Sequence, residues 1–205
     1  MNRLELYWNI DSHLLRDGKP STYLNAVCMD PAFSVYPFDM LLRLKNTEQS
    51  PVHHPEGNVW NHTMLVVDAA AMMKAKSRDA AAFLWAALLH DIGKPSTTRI
   101  RKGRITAYDH DLVGAELARK FLSEFGDDGR FIDRVAGLVR YHMQILYVLK
   151  NLPFADIPGM RRDADIGEVA LLGLCDRLGR LRPDPEEEQG KIRLFLQKVN
   201  EAQSL

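Results

Sequence analysis

Apolar residues recur at Leu4, Leu6, Tyr7, Ile10, Leu14 and Leu15. This stripe predicts a first helix over residues 4–15, ending near Asp17-Gly18 with Pro20 beyond. Residues 38–42 predict a short helix, which leads into a turn-rich segment over 47–57. Within it, Ser50-Pro51-Val52-His53-His54-Pro55-Glu56-Gly57 reads as a rigid loop. Asn58 is placed to cap a helix running to about residue 76, because its side-chain oxygen accepts an unpaired amide of the first turn. Arg78 or Asp79 opens the next helix, and from Ala80 to Leu89 the chain is apolar almost all round, which predicts a central, buried helix. That helix stops at His90-Asp91-Ile92-Gly93-Lys94-Pro95, where glycine permits a turn and proline forbids continuation.

Residues 99–107 carry Gly103 between Ile100 and Ile105 and predict a loop or a short hairpin. Helices follow at about 110–125, 128–141 and 166–180, with a loop bearing Pro153 and Pro158 between the last two. A terminal helix over about 184–202 opens with Pro185-Glu186-Glu187-Glu188, acids that suit the positive end of a helix dipole. There are no repeats and few strand signals, so the expected architecture is all-α.

Composition narrows the function. The 205 residues, 46% of them apolar, suffice for one domain with a sizeable core. Lysine plus arginine and aspartate plus glutamate both number 27, so any grip on phosphate has to be local. The basic run Arg99, Arg101, Lys102 and Arg104 has no aromatic among its charges and reads as a solvated loop rather than a nucleic-acid groove. Cys28 and Cys175 stand far apart in apolar surroundings, as buried reduced thiols do. No apolar stretch is long enough to span a bilayer and the first residues lack a signal-peptide run, so the expected location is cytoplasmic, with no membrane partner.

The chemistry concentrates at the end of the most apolar helix. An unpaired carboxylate buried at Asp91 costs several kcal/mol or takes up a proton. A divalent cation shared with His90 removes that penalty. Imidazole with carboxylate suits Mg, Mn, Fe, Co, Ni or Zn alike, and without clustered cysteines the site does not read as structural zinc.

The order His62, His90-Asp91, Asp176 resembles the H…HD…D pattern of the HD-domain metal-dependent phosphohydrolases. Three segments carry the likeness: Asn58-Val59-Trp60-Asn61-His62-Thr63, then Leu88-Leu89-His90-Asp91-Ile92-Gly93-Lys94-Pro95, then Leu174-Cys175-Asp176-Arg177-Leu178-Gly179-Arg180. They look like the HD domain attached to bacterial CCA-adding tRNA nucleotidyltransferases, without the paired-carboxylate motif of nucleotide transfer. The resemblance implies an HD-type helical bundle with a metal site in a cleft between helices. Residues 1–205 then form one HD domain, with 1–50 a helical extension and about 58–180 the core. It implies His62, His90, Asp91 and Asp176 as ligands of one divalent ion, and His110 and His142 as ligands of a second, with Asp91 bridging.

The implied activity is that of a phosphatase or phosphodiesterase. It cleaves phosphomonoesters or 2′,3′-cyclic phosphodiesters of nucleotides or RNA ends through a metal-bound hydroxide. Asp91 and Lys94 are the expected catalytic residues, and Lys94 also meets the substrate phosphate. Arg177 and Arg180 flank Asp176 so that only one faces the metal and the other forms a salt bridge. His53 and His54 are candidates to touch substrate or to protonate a leaving group, and read equally as stacked surface rings. No glutamate follows the HD pair to serve as base, a departure from some members. Two alternatives share the scaffold: a mixed-valent di-iron oxygenase, and a non-catalytic metal-stabilised module partnering a tRNA nucleotidyltransferase. Substrate identity, one metal or two, and oligomeric state are not readable from the sequence.

Overall fold

The segment that is apolar on every side becomes the centre of the molecule. The computed structural model describes residues 1–181 and 183–202. The first third holds α1 (Arg3–Arg16), α2 (Ser21–Val27) and α3 (Asp39–Leu42). The middle holds α4 (Val59–Met73), α5 (Ala80–Leu89) and α6 (Lys94–Thr97), then a hairpin of β1 (Arg99–Arg101) and β2 (Arg104–Thr106). The remainder holds α7 (His110–Ser123), α8 (Gly129–Tyr141), α9 (Gln144–Leu149), α10 (Ile157–Asp163), α11 (Ile166–Leu178) and α12 (Pro185–Glu201). The fold is all-α, its small antiparallel sheet pairing Ile100 with Ile105. No helix among the described residues is long and apolar enough to cross a membrane.

Helix α5 is buried from Ala82 to Leu89 and packs against α1, α4, α8 and α11. Its start is fixed by Asp79, whose carboxylate accepts the Ala82 amide at 3.1 Å. Asn58 caps α4 in the same way, accepting the Asn61 amide at 2.9 Å. Helix α1 presents Leu6, Ile10 and Leu14 to the same core, and Tyr7 stacks on Trp85 with ring centroids 4.8 Å apart. One continuous apolar cluster runs from Leu6 to Val199. Cys28 and Cys175 are both buried and free.

Two stretches differ from the pattern-based expectation. Pro20, which reads as a stop after α1, stands at the N-terminus of α2. The proline-bearing loop expected over 143–165 contains α9 and α10. Pro158 sits in the first turn of α10, where a missing amide costs nothing, and Asp156 caps that turn through the Gly159 amide at 2.9 Å.

Gly93 also has a different role from the one its sequence context suggests. Its φ of −78° is ordinary helix, so no left-handed turn requires it. A Cβ there meets the His110 carbonyl oxygen at 2.2 Å and the Gly114 amide at 2.7 Å. The glycine exists for close approach: it lets the strand of chain after Asp91 lie directly on the N-terminus of α7.

Candidate metal centre

Five helix ends meet in one place. His62 comes from the first turn of α4, His90 and Asp91 follow α5, His110 opens α7 and His142 follows α8. Asp176 comes from the last turn of α11. Five of these six, all but Asp176, are buried to 5% exposure or less, and the Asp176 side chain is 14% exposed.

The six side chains form a row. Asp176 Oδ1 lies 2.9 Å from His62 Nε2. Asp91 stands at the middle with its two oxygens facing opposite ways. Oδ2 is 3.2 Å from His90 Nε2, whereas Oδ1 is 3.5 Å from His110 Nε2 and 3.9 Å from His142 Nε2. Along the row two sets of donors converge, one on His62, His90 and Asp91 and one on Asp91, His110 and His142, and a third set, His54, Glu56 and His62, lies at the row's His62 end.

The histidine tautomers are dictated by the backbone. His90, His110 and His142 each place Nδ1 at 2.7–2.8 Å from the carbonyl three residues upstream, those of Ala87, Ala107 and Val139. A carbonyl only accepts, so each Nδ1 carries the hydrogen and each neutral ring turns an Nε2 lone pair inward. His110 Nε2 and His142 Nε2 lie 3.2 Å apart. Two lone pairs at that distance repel unless a proton or a metal cation stands between them.

Protonation is disfavoured there. Burial pushes His110 down, and burial with the neighbouring His110 and His90 pushes His142 down to about 4. Likewise His90 Nε2 and Asp91 Oδ2 are buried without an aligned hydrogen bond, although they nearly touch. Ligands about 2.1 Å from a metal stand roughly 3–4 Å from each other, and the donor atoms here lie 3.2–3.9 Å apart. The donor set fits divalent cations.

His62 is different. Its Nδ1 lies 2.9 Å from Glu56 Oε1, a short but oblique contact, and its Nε2 faces Asp176. Burial opposes its charge, but the carboxylates of Asp176 and Glu56 prevail and raise its pKa. Burial also opposes ionisation of Asp91 and Asp176. The His90 ring and Lys94 beside the first, and the His62 ring and Arg180 beside the second, nonetheless hold both well below the usual carboxylate range.

Around this row, Lys94 places Nζ 2.7 Å from Asp91 Oδ2 and 2.6 Å from Gln49 Oε1. Arg180 is the arginine that faces the row, with Nη2 4.0 Å from Asp176 Oδ2. Arg177 is engaged elsewhere, 3.0 Å from Glu188 of α12. His54 lies against His62, ring centroids 4.7 Å apart, while His53 is exposed on the loop surface. Burial together with the Lys94 charge pushes His54 down to about 4, so it enters neutral solution as an acceptor rather than an acid.

Gln49 and Glu56, both in the 47–57 loop, fall in segments that also resemble sequence preceding the HD domain, but no role at the site was legible for either. Glu56 is held ionised at about 2, its burial outweighed by hydrogen bonds from His62, the backbone and His54. An acid two residues before an N-cap is already accounted for by the helix dipole, so nothing in the pattern gave it a role at the site.

The sequence profile of the HD domain matches residues 59–181, more than half of the chain. The chain belongs to the HD-domain family, a superfamily of metal-dependent phosphohydrolases whose domains bind divalent metals. Among curated proteins it is 38% identical over 146 residues to the A-adding tRNA nucleotidyltransferase of Deinococcus radiodurans, covering 68% of this chain and 31% of that protein. It is 46% identical over 147 residues to the multifunctional CCA protein of Aromatoleum aromaticum, covering 67% and 34%. It is 38% identical over 108 residues to the CC-adding tRNA nucleotidyltransferase of Thermus thermophilus, covering 52% and 24%. The chain thus matches between a quarter and a third of the length of these relatives.

Proposed function

We propose that this chain is a metal-dependent phosphohydrolase acting on phosphomonoesters or 2′,3′-cyclic phosphodiesters of nucleotides or RNA ends. The observation that carries it is the pair of inward Nε2 lone pairs on His110 and His142, 3.2 Å apart and next to Asp91. His62, His90, Asp91 and Asp176 would hold one divalent ion, and Asp91, His110 and His142 a second. Such ions lower the pKa of water towards about 7 and polarise phosphoryl oxygens.

The chain's own residues supply the rest. Asp91, ionised and central, ties both halves together through its two oxygens. Lys94, steadied by Gln49, gives a fixed cation for phosphate oxygens, which gather negative charge as the ester breaks. Arg180, 37% exposed, offers a second cation at the rim. The apolar wall of α5 behind His90 limits water and strengthens each of these interactions. That the relatives are named for work on tRNA supports nucleotides or RNA ends as substrates.

A matrix of divalent ions against 2′,3′-cyclic AMP, 2′-AMP, 3′-AMP and p-nitrophenyl phosphate tests this. Release of phosphate or ring opening, abolished by Asp91→Asn and lowered roughly tenfold or more by Lys94→Ala, is the expected result. A metal-loaded protein inert across the panel refutes it, and oxygen uptake by the iron-loaded form would instead mark an oxygenase.

A further inference from the structure

The four histidines of the row are not held alike. His90 and His142 stand at helix C-termini, where the last carbonyls lack a helical partner, and His110 uses a carbonyl that precedes its helix. Each therefore finds a backbone acceptor for Nδ1 three residues upstream. His62 has no such option. It lies inside α4, where its own amide takes the Asn58 carbonyl and Val59, three residues upstream, already accepts the Thr63 hydroxyl at 2.9 Å. Its Nδ1–H needs an acceptor from outside the helix.

Glu56 stands in that place. Its side chain is 3% exposed, and one oxygen, Oε1, accepts from His54 Nδ1 at 2.9 Å and lies 2.9 Å from His62 Nδ1, a contact that is close but oblique. The backbone around it is pinned. Asn61 donates to the Glu56 carbonyl at 3.1 Å, and Gly57, at φ 105°, turns the chain directly into the Asn58 cap. Burying a carboxylate in a loop otherwise free to face water costs free energy, and besides a backbone amide the groups it gains are these two rings.

We propose that Glu56 is the positioning residue of the His62 end: its carboxylate holds the His62 Nδ1–H and so aims Nε2 at the ion. The inference rests on the metal site proposed above. A carboxylate behind a ligating histidine fixes its tautomer and strengthens it as a donor, and removing such a partner typically costs about 10–100-fold in metal affinity.

The test is titration of the chelator-treated full chain with Co²⁺, followed by calorimetry and visible absorption, for wild type, Glu56→Gln, Glu56→Ala and Asn61→Ala. The expected result is binding weakened about 10–100-fold in both Glu56 variants with an altered absorption band, and about twofold or less in Asn61→Ala, which loosens the loop without touching His62. Unchanged affinity and spectrum in Glu56→Gln overturn the proposal, as does an equal loss in Asn61→Ala, which would reduce Glu56 to a loop anchor. Nitrogen-15 spectra of the His62 ring probe the same contact without any metal. Nδ1 protonated in metal-free wild type and redistributed in Glu56→Gln supports the proposal, and an identical tautomer in both refutes it. Wild type binding no ion at all overturns the metal reading, while the ring spectra still decide the role of Glu56.

Discussion

The two ends of the ligand row use the same side chains under different constraints. At one end His110 and His142 are fixed by backbone carbonyls and pressed towards neutrality by burial. At the other, His62 lies between two carboxylates, Glu56 and Asp176, and is pressed towards the cation. The contrast teaches that a histidine's readiness to bind metal is set by what its outer nitrogen touches. With the proposed ions bound, the neutral end would take its ion without losing a proton, whereas the His62 end would exchange a proton for the ion and gain a more strongly donating ring in return.

Asp91→Asn should break both ends at once, because each Asp91 oxygen serves one of them. Activity is expected to fall about a thousandfold or more and bound metal to fall at both positions, checked by steady-state assay and elemental analysis. Asp176→Asn and His142→Ala should separate the ends. Each is expected to lower activity about a hundredfold and to leave metal at the opposite end, read as stoichiometry and affinity by calorimetry.

Gly93→Ala should strain the neutral end alone. Its Cβ meets the His110 carbonyl oxygen at 2.2 Å, so α7 has to move, with an expected loss of about 1–3 kcal/mol in stability. Thermal unfolding and the retained affinity of the His62 end check this.

The smallest effect is in pH, measured on metal-free protein by chemical denaturation. His142 is depressed to about 4, with His110 depressed beside it, so protons favour the unfolded chain below about pH 6.5. Stability from that end is full above about pH 6.5 and is lost as pH falls towards about 4. His62 is raised, so its contribution is full below about pH 6.5 and is lost as pH rises through its folded value. Glu56→Gln should flatten the alkaline limb and leave the acid limb in place. A single monotonic curve, unchanged by that variant, would dissolve the contrast between the ends.

The all-round apolar run from Ala80 to Leu89, the caps at Asn58 and Asp79 and the polar pair behind the run were enough to anticipate the central helix and a polar pair at its end in need of a partner. That much follows from burial, whereas His62, His110, His142 and Asp176 as the other members of the row were legible only through the resemblance to the HD family. Two kinds of feature escaped. The short helices α2, α9 and α10 are too brief for a periodic stripe, and Pro20 and Pro158 mark helix starts as readily as helix ends. Gln49 and Glu56 act through the path of an irregular loop. Gln49 meets Lys94 across 45 positions, a contact that no local pattern encodes.

The proposed role of that loop would move the edge of the working unit upstream. Gln49, His54 and Glu56 all precede residue 59, where the family match begins. A fragment trimmed to the matched segment would keep all six side chains of the row, yet lose the carboxylate behind His62 and the amide that steadies Lys94. Transplanting or shortening this domain by its ligand signature would therefore yield a complete inventory with one end untuned, and the border worth preserving lies before Gln49.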